Sequence, residues 1–313
     1  LRHAGLIDMG SNAIRTEIIE FDEHGSRTMD KRRTPIRLGD DVFSTGAISE
    51  ENIRRAVHSM REFRVACDGY RVDAIRGVAT SAVREASNGP EFLERLRLDA
   101  GVEIHAITGD TEAEFLHCAV QTRVDTSHGS FLLVDLGGGS VELVRVRDGK
   151  VLAAKSFACG AVRLLNQIDR HADELTGDGL TSAIRAAYEP IESTMRRDFG
   201  GVTDHCIAVG GNIETIVELV ALEHELGAEL DVLSCTVAQI EEITGKLAAL
   251  PQLERMTRFG LRPDRADTIV PAGIVYASVA AIAGTTHLAV PRVGIRSGIR
   301  ERTIEELLAA DES

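Results

Sequence analysis

Tryptophan is absent from this chain of 313 residues, and aromatic residues make up only 4% of it. A pocket for a purine base is usually built from aromatic and apolar side chains, so the composition shows no obvious stacking platform for one. Cysteines are few and scattered, with no C-x-x-C pair among Cys67, Cys118, Cys159, Cys206 and Cys235. Their odd number and wide spacing argue against a disulfide framework and a zinc site, and favour buried thiols in a reducing cytoplasm.

Long hydrophobic runs are also missing. No run reaches the ~18 apolar residues that a membrane span requires. The longest candidate, Ile269 to Ala283, contains Pro271, Gly273 and Tyr276, and we interpret it as a buried helix. No basic segment followed by an apolar one begins the chain, so we expect no secretory signal, no membrane partner and a cytoplasmic location.

Positive charge is in deficit, because 35 Lys and Arg residues face 49 Asp and Glu residues and leave a net charge of −14. General nucleic-acid binding depends on neutralising phosphates with Lys and Arg, so this balance argues against a nucleic-acid partner. The basic residues are unevenly spread, however, and residues 31–37 read KRRTPIR. Two interpretations stay open for this stretch, a solvated strand and loop or a surface that attracts an anionic substrate.

Two stretches share one pattern, in which an apolar run ends on an aspartate, turns on small residues and resumes. LIDMGSNAIRTEII occupies residues 6–19, and VDLGGGSVELV occupies residues 134–144. The two aspartates, Asp8 and Asp135, lie close to half the chain apart, which indicates a duplicated domain rather than a short repeat.

In each half of the chain, the pattern of apolar and polar residues predicts three strands, followed by helices that alternate with strands. The first half predicts strands at 6–8, 13–21, 26–33 and 74–81 and helices at 49–66 and 90–98. The second predicts strands at 131–135, 141–146, 151–157 and 206–212 and helices at 181–197, with a kink or break at Pro190, and 213–222. This order predicts an α/β fold of two matching domains, each a mixed sheet with helices on its faces, and a cleft between them.

The turns that follow Asp8 and Asp135 are suited to binding phosphate. A turn with little side-chain bulk lets backbone N–H groups approach a phosphate, and the hydroxyls of Ser11 and Ser140 can add donors. A carboxylate does not attract a phosphate directly, so we expect Asp8 and Asp135 to hold Mg²⁺ or an attacking water and to face each other across the cleft.

Further strings make the pattern specific, namely IDMGSN (7–12), VATSAVREASNG (78–89), TGDTEAE (108–114), LVDLGGGSVEL (133–143), CGAVRL (159–164) and RADTIVPAG (265–273). In this order they resemble the exopolyphosphatase and guanosine-pentaphosphatase (Ppx/GppA) branch of the actin, heat-shock-70 and sugar-kinase superfamily. The resemblance implies two ribonuclease H-like, actin-like ATPase domains with mixed five-stranded sheets. We predict them at 1–126 and 127–298, with 299–313, an amphipathic helix over much of its length, packing back on the first.

The resemblance also implies an enzyme that hydrolyses a terminal phosphoanhydride with Mg²⁺. Glu112, in the G-x-x-E-A string, would activate water, although a glutamate placed there for the helix dipole is the alternative. Arg84 would contact phosphate, the alternative being a surface helix arginine. Glu142 would lie near the metal or water, the alternative being an outward-facing carboxylate. The predicted phosphate-binding residues are therefore Arg84 and Gly10, Ser11, Asn12, Gly137, Gly138, Gly139, Ser140, Gly211 and Asn212, and the predicted metal ligands are Asp8, Asp135 and Glu142.

This chain departs from the family pattern at two positions. Asn212 replaces the usual threonine of Gly-Gly-Thr, and Ser297 replaces the usual glutamate of Arg-Glu-Gly. An asparagine amide can still cap the following helix and contact phosphate, so we keep Asn212 in the site. The chain also ends before the C-terminal helical extension that longer members use in dimerisation, and a homodimer is left open.

Four functions fit these observations. Hydrolysis of terminal phosphate from inorganic polyphosphate is preferred, because the low aromatic content disfavours a base pocket. Hydrolysis of guanosine pentaphosphate (pppGpp), which belongs to the stringent response, is the first alternative. The others are a sugar or acetate kinase, which the G-x-x-E-A and TSAVR strings oppose, and a non-catalytic sensor that binds polyphosphate or an alarmone.

Overall fold

A computed structural model describes residues 1–168, 175–224 and 232–310 of the chain. The molecule divides into two units, one formed by Leu1–Ala119 with the residues from Ile295 onward, the other by Val120–Gly294. The chain first passes from one unit to the other inside the helix Gly109–Gln121, and it returns at the start of the last helix, Ile295–Ala309.

The first unit is built on a mixed sheet in the order β3-β2-β1-β4-β5. The strands β1 to β3 are antiparallel, whereas β4 and β5 run parallel to β1. The strands are β1 (Arg2–Met9), β2 (Ile14–Asp22), β3 (Gly25–Thr34), β4 (Ala74–Ala79) and β5 (His105–Ala106), and the helices are α1 (Leu38–Thr45), α2 (Glu50–Tyr70), α3 (Ser81–Glu85), α4 (Gly89–Ala100) and α5 (Gly109–Gln121). As predicted, Ser49 caps α2, since its side chain accepts a hydrogen bond from the Asn52 amide.

The second unit repeats this order and extends it, as β10-β11-β9-β6-β7-β8. Its strands are β6 (Ser130–Leu136), β7 (Val141–Arg147), β8 (Lys150–Phe157), β9 (His205–Val209), β10 (Leu233–Thr236) and β11 (His287–Val290). The prediction of five strands is wrong here, because the described residues form six. The extra strand, β10, is a four-residue run that buries Leu233 and Cys235 by pairing with β11, and so short a run has no clear signature in the sequence.

Helices cover the second sheet. They are α6 (Ala161–Gln167), α7 (Gly177–Phe199), α8 (Gly211–Glu223), α9 (Val237–Ala248), α10 (Gln252–Phe259), α11 (Pro263–Ala266) and α12 (Ile269–Ile282). The sequence predicted a kink or a break at Pro190, and of these the break is wrong, since α7 continues through this residue. Pro190 is exposed, and its carbonyl accepts a hydrogen bond from the Thr194 hydroxyl. The apolar α12 is buried among α7, α8 and α9, as predicted. Nowhere in the described ranges does a helix combine the length and apolarity needed to cross a membrane.

The last helix, α13 (Ile295–Ala309), lies against β1 in the first unit. Its Ile299 and Leu307 join Leu6 and Phe21 in a small buried apolar cluster. At its N-terminal end, two arginines of α13 bind one buried carboxylate of β2.

That carboxylate belongs to Glu17, whose side chain is 3% exposed. It accepts hydrogen bonds or ion-pair contacts from Arg296 Nε at 2.9 Å, from Arg300 Nη2 and from the Thr28 hydroxyl at 2.5 Å. A buried acid with this many charged and polar partners fixes α13 on the sheet.

We expect Glu17→Ala to lower the free energy of unfolding by about 3 kcal/mol, because it leaves two arginines without their common partner. Urea denaturation monitored by circular dichroism measures the change. Glu94→Ala is the control, since Glu94 pairs with Arg97 on the exposed surface of α4 and its loss should not reduce stability. Equal unfolding midpoints for wild type and Glu17→Ala would show that the cluster does not hold the helix.

Candidate functional site

The two predicted turns have the same backbone geometry. The Gly10 amide donates to the Ala13 carbonyl at 3.1 Å, and the Gly137 amide donates to the Ser140 carbonyl at 3.0 Å. Each turn joins the first two antiparallel strands of its unit. The duplication read from the sequence is therefore present in the turn itself. The two serines occupy different positions, since Ser140 matches Ala13 rather than Ser11.

The glycine turn of the second unit rests on the start of α6. The Gly137 carbonyl accepts from the Ala161 amide at 3.0 Å, and the Gly138 carbonyl accepts from the Val162 amide at 2.9 Å. Because C=O and N–H point in opposite directions across a trans peptide, the amides of Gly138 and Gly139 point away from α6. This orientation suits the predicted role, in which backbone N–H groups receive an anion.

Gly160, which precedes α6, is required by this packing. A Cβ atom at Gly160 would lie 2.3 Å from the Gly138 carbonyl carbon and 2.3 Å from the Gly139 nitrogen. Backbone atoms cannot move aside as the end of a flexible side chain can, so any larger residue must displace the turn.

We therefore expect Gly160→Ala to reduce the free energy of unfolding by about 1–3 kcal/mol through overpacking. Gly245→Ala serves as the matched control, because a Cβ there meets nothing within 4 Å on the exposed side of α9. That substitution should stabilise the protein by about 0.5–1 kcal/mol through helix propensity. Thermal unfolding of both variants compares them, and a Gly160→Ala protein as stable as wild type would contradict the packing argument.

In the first unit the turn is held by other elements in a similar way. The Ser11 carbonyl accepts from the Gly39 amide at 2.8 Å, and the Asn12 carbonyl accepts from the Arg37 amide at 3.1 Å. The buried Ser11 hydroxyl also hydrogen-bonds the Ser81 hydroxyl at 3.0 Å. Since Ser81 begins α3, the turn and α3 are tied together.

Arg84, one turn further along α3, contacts Glu112. Arg84 Nη1 donates to a Glu112 carboxylate oxygen at 2.5 Å and to the Ile107 carbonyl at 2.6 Å. Glu112 is 2% exposed and lies in the first turn of α5. The structure thus brings together two residues that the sequence analysis singled out separately. Glu112 is buried, whereas Arg84 is 28% exposed, and the roles predicted for the two residues stay predictions.

The predicted acids have different neighbours in the two units. Asp8 lies opposite Arg15 in the β1–β2 register, and Arg15 Nη1 donates to Asp8 Oδ2 at 3.3 Å. Asp135 lies opposite another acid, Glu142, and both side chains are buried. Glu142 also accepts a hydrogen bond from the Ser156 hydroxyl at 2.7 Å. The alternative of an outward-facing Glu142 carboxylate is therefore wrong.

A pair of cross-strand carboxylates is a suitable donor set for Mg²⁺. This ion commonly takes one or two protein carboxylates and completes its shell with water and phosphate oxygens. Among the residues that the structure describes, no group of three or more His, Cys, Asp or Glu side chains is arranged to hold a metal. Asp135 and Glu142 therefore fit a Mg²⁺ ion that draws its other ligands from water or substrate, whereas Asp8 already faces the guanidinium of Arg15.

Gly210, at the start of α8, lets Asp135 approach this helix. Its φ is +112°, a conformation that side-chain-bearing residues rarely adopt. A Cβ there would lie 2.9 Å from the Tyr276 hydroxyl oxygen and 3.1 Å from Asp135 Oδ1. The Tyr276 hydroxyl donates to the Val209 carbonyl at 2.5 Å. Burial, with the negative charge of Asp135, raises the pKa of the Tyr276 phenol well above its ordinary value, so this group stays a neutral donor.

Asn212 binds an arginine that the sequence analysis did not name. The side-chain oxygen of this buried asparagine accepts from Arg265 Nη1 and, at 3.3 Å, from the Thr268 hydroxyl. A Cβ at Gly211 would lie 2.5 Å from Arg265 Nη2, so any larger residue must displace the guanidinium from this position. The expectation that Asn212 caps α8 is wrong, because Gly210 is the cap residue and the amide oxygen is directed to Arg265.

Sequence reasoning could have found Arg265, since it begins the RADTIVPAG string just before a largely apolar helix. A guanidinium buried beside such a helix needs polar partners. Arg163, whose Nε donates to the Gly139 carbonyl at 2.8 Å, lies within the CGAVRL string and was likewise missed. Arg15 had no such signal, because only the strand register places it beside Asp8.

Comparisons with known proteins agree with this description. The model of the Ppx/GppA phosphatase family matches residues 18–307. Exopolyphosphatase 1 of Mycobacterium tuberculosis is 25% identical over 274 residues, which cover 87% of this chain and 79% of that protein. A guanosine-5'-triphosphate,3'-diphosphate pyrophosphatase of Aliivibrio fischeri is 25% identical over 304 residues, which cover 96% of this chain and 59% of that protein.

Two solved structures show the same fold. The Ppx/GppA family member of Aquifex aeolicus has a TM-score of 0.79 at 25% identity, over 100% of this chain and 99% of that one. An exopolyphosphatase from Cytophaga hutchinsonii has a TM-score of 0.84 at 23% identity, over 97% of this chain and 98% of that one. Together with the repeated strand order, they confirm the predicted fold of two actin-like domains. Since the family model spans most of its length, the chain belongs to the Ppx/GppA phosphatase family.

Proposed function

We propose that this protein is an exopolyphosphatase that releases the terminal phosphate of inorganic polyphosphate with the help of Mg²⁺. The observation that carries the proposal is the contact of the buried Glu112 carboxylate with Arg84, which is linked through α3 and Ser81 to the Ser11 turn. Glu112 is the carboxylate of the family string G-x-x-E-A, and a relative named exopolyphosphatase matches 87% of the chain.

The chemistry assigned to Glu112 is general-base catalysis. Its carboxylate orients a water molecule and accepts one proton from it, while the water oxygen bonds to the terminal phosphorus. The bond between that phosphorus and the bridging oxygen breaks, which yields orthophosphate and a chain shorter by one phosphate. Arg84 holds Glu112 in place through the 2.5 Å contact, and its remaining N–H groups suit a phosphate oxygen.

Backbone amides are proposed to hold the phosphate during this step. Those of Gly138 and Gly139 point away from α6, and Arg163 and Arg265 bring positive charge to the same unit. That the turns at Gly10 and Gly137 act on one phosphate stays a prediction from the sequence.

Asp135 and Glu142 would hold the Mg²⁺ ion, with Asp8 a further predicted ligand. When bound, the ion would neutralise charge on the phosphate oxygens and on the leaving group. The buried, adjacent positions of Asp135 and Glu142 support this part of the proposal.

Hydrolysis of guanosine pentaphosphate is the second candidate. A relative named for a guanosine substrate matches 96% of this chain, although this chain covers only 59% of that protein. The guanosine activity would place the protein in the stringent response. Under either activity we propose a cytoplasmic enzyme, because all five cysteines are free thiols and the cytoplasm keeps thiols reduced.

Phosphate release from long-chain polyphosphate and from guanosine pentaphosphate, measured side by side with Mg²⁺, tests the proposal. We expect kcat/KM to be higher for polyphosphate. Faster turnover of the guanosine substrate would replace the first candidate with the second. Tight binding of polyphosphate without phosphate release would instead support the non-catalytic sensor.

A further inference from the structure

A buried phenol on the apolar helix α12 reaches the end of strand β9. Tyr276 is 0% exposed, and its neighbours on the helix, Val275 and Ala277, are apolar and buried. Its hydroxyl donates to the Val209 carbonyl at 2.5 Å. A phenylalanine would fill the same space without a polar atom that must give up its contact with water, so packing alone does not account for the hydroxyl.

The carbonyl that accepts this hydrogen bond lies beside a predicted metal ligand. In the parallel register of β6 and β9, Val209 is the partner of Asp135. Val209 is also the last residue of β9, and Gly210 follows it with a φ of +112°. Tyr276 therefore holds the chain at the point where β9 ends and the turn into α8 begins.

The phenol oxygen and the carboxylate both border Gly210. The position that a Cβ would take at Gly210 lies 2.9 Å from the Tyr276 hydroxyl oxygen and 3.1 Å from Asp135 Oδ1. The carboxylate is thus packed against a stretch of backbone whose position the phenol fixes. A tyrosine has one O–H proton, and Val209 receives it, so the phenol acts on Asp135 through the backbone rather than by donating to it.

A second buried phenol in the same unit provides a comparison. Tyr188 on α7 is 1% exposed, and its hydroxyl lies 3.3 Å from the Ser278 hydroxyl and 3.3 Å from the Met195 sulfur. Neither of these partners has a part in the proposed reaction. Loss of the Tyr188 hydroxyl therefore measures what a buried tyrosine contributes to the fold alone.

We propose that Tyr276 is a positioning residue for Mg²⁺ binding, which holds the backbone at Val209 and Gly210 so that the Asp135 carboxylate keeps the orientation in which it binds the ion. The inference rests on the proposed function, in which Asp135 and Glu142 hold Mg²⁺. Groups that orient a metal ligand without touching the metal typically change metal affinity or activity about 10–100-fold when they are removed.

Tyr276→Phe removes the hydroxyl and keeps the ring, and Tyr188→Phe is its matched control. We expect Tyr276→Phe to raise the dissociation constant for Mg²⁺ about 10-fold, as measured by calorimetry on the protein without substrate. The Mg²⁺ concentration for half-maximal phosphate release from polyphosphate should rise by a similar factor. At saturating Mg²⁺, KM for polyphosphate should stay within about twofold of wild type, because the phenol does not contact the substrate. Tyr188→Phe should leave all three values unchanged.

A purely structural role for Tyr276 predicts a different result, in which both variants lower the unfolding temperature and neither shifts Mg²⁺ binding. That result, or an equal shift of Mg²⁺ binding in both variants, would overturn the inference. If Tyr276→Phe does not fold, Tyr276→Met is compared with Tyr188→Met in the same way, since a flexible methionine adapts to the space that is left.

Calorimetry separates this inference from the proposed function. A wild type that binds Mg²⁺ but releases no phosphate from polyphosphate would refute the proposed function, and the two phenylalanine variants would still test the role of Tyr276. A wild type that releases phosphate, with Mg²⁺ binding that Tyr276→Phe leaves unchanged, would refute the inference alone. A wild type that binds no Mg²⁺ would refute the inference together with the metal assignment.

Discussion

Replacing Glu112 with glutamine is expected to lower kcat for phosphate release from polyphosphate at least ~100-fold, the range typical for loss of a general base. The amide keeps the size of the side chain and can still accept the hydrogen bond from Arg84, so the fold should survive. It cannot accept a proton from water. Initial rates of phosphate release at saturating substrate measure the change, and thermal unfolding checks the fold.

The matched control is Glu114→Gln, which removes a carboxylate two residues away on α5. Glu114 is exposed, whereas Glu112 is 2% exposed and bound to Arg84. We expect Glu114→Gln to keep the wild-type rate within about twofold, because a solvated carboxylate without a buried partner contributes little. A Glu112→Gln enzyme as active as this control would remove Glu112 from the proposed mechanism.

Replacing Asp135 with asparagine is expected to raise the Mg²⁺ concentration needed for half-maximal activity at least ~10-fold, since an amide is a weaker Mg²⁺ donor than a carboxylate. The rate at low Mg²⁺ should fall accordingly and recover in part at high Mg²⁺. Asparagine has almost the same shape, so the contacts that pack Asp135 beside Gly210 should remain. Titration of activity with Mg²⁺ gives the shift.

Asp178→Asn provides the comparison, because Asp178 is an exposed carboxylate in the first turn of α7. Its removal should leave the Mg²⁺ titration unchanged. Direct Mg²⁺ binding, measured by calorimetry, supplies a readout that does not depend on turnover. An Asp135→Asn titration that coincides with that of wild type would assign the metal to other residues.

The elements that follow local pattern were predicted well. Alternating apolar residues marked β7, the helical spacing of Ile53, Val57 and Met60 marked α2, and the apolar composition of residues 269–283 marked the buried α12. The strand β10 was not predicted, because four residues hold too little periodicity to distinguish a strand from a loop. A kink or break at Pro190 was expected from the general cost of proline inside a helix, and the rest of the long α7 holds the helix together without a break there.

In the candidate site too, single residues could be predicted from the sequence, whereas the contacts between them could not. Glu112 and Arg84 could be named from their strings, but nothing local showed that they form an ion pair, since 28 residues separate them in the chain. Arg265 and Asn212 are separated by 53 residues in the chain but are in contact in the structure. This contact gives the Asn212 side chain a partner that the rules of helix capping did not suggest. The basic stretch at 31–37 was visible, but only the strand register shows that Arg33 lies opposite Arg15, which in turn lies opposite Asp8.

The sequence by itself determined the duplicated plan, the strand–turn–strand units around Asp8 and Asp135, and the family, because these follow from short-range patterns of apolar residues, glycines and acids. Only the tertiary structure decided which polar and charged side chains meet: Asp135 with Glu142, Asp8 with Arg15, Asn212 with Arg265, and Glu17 with the two arginines of α13. The physical reason is that strand register and helix docking are set by burial of apolar faces over the whole unit, and polar partners are brought together as a result.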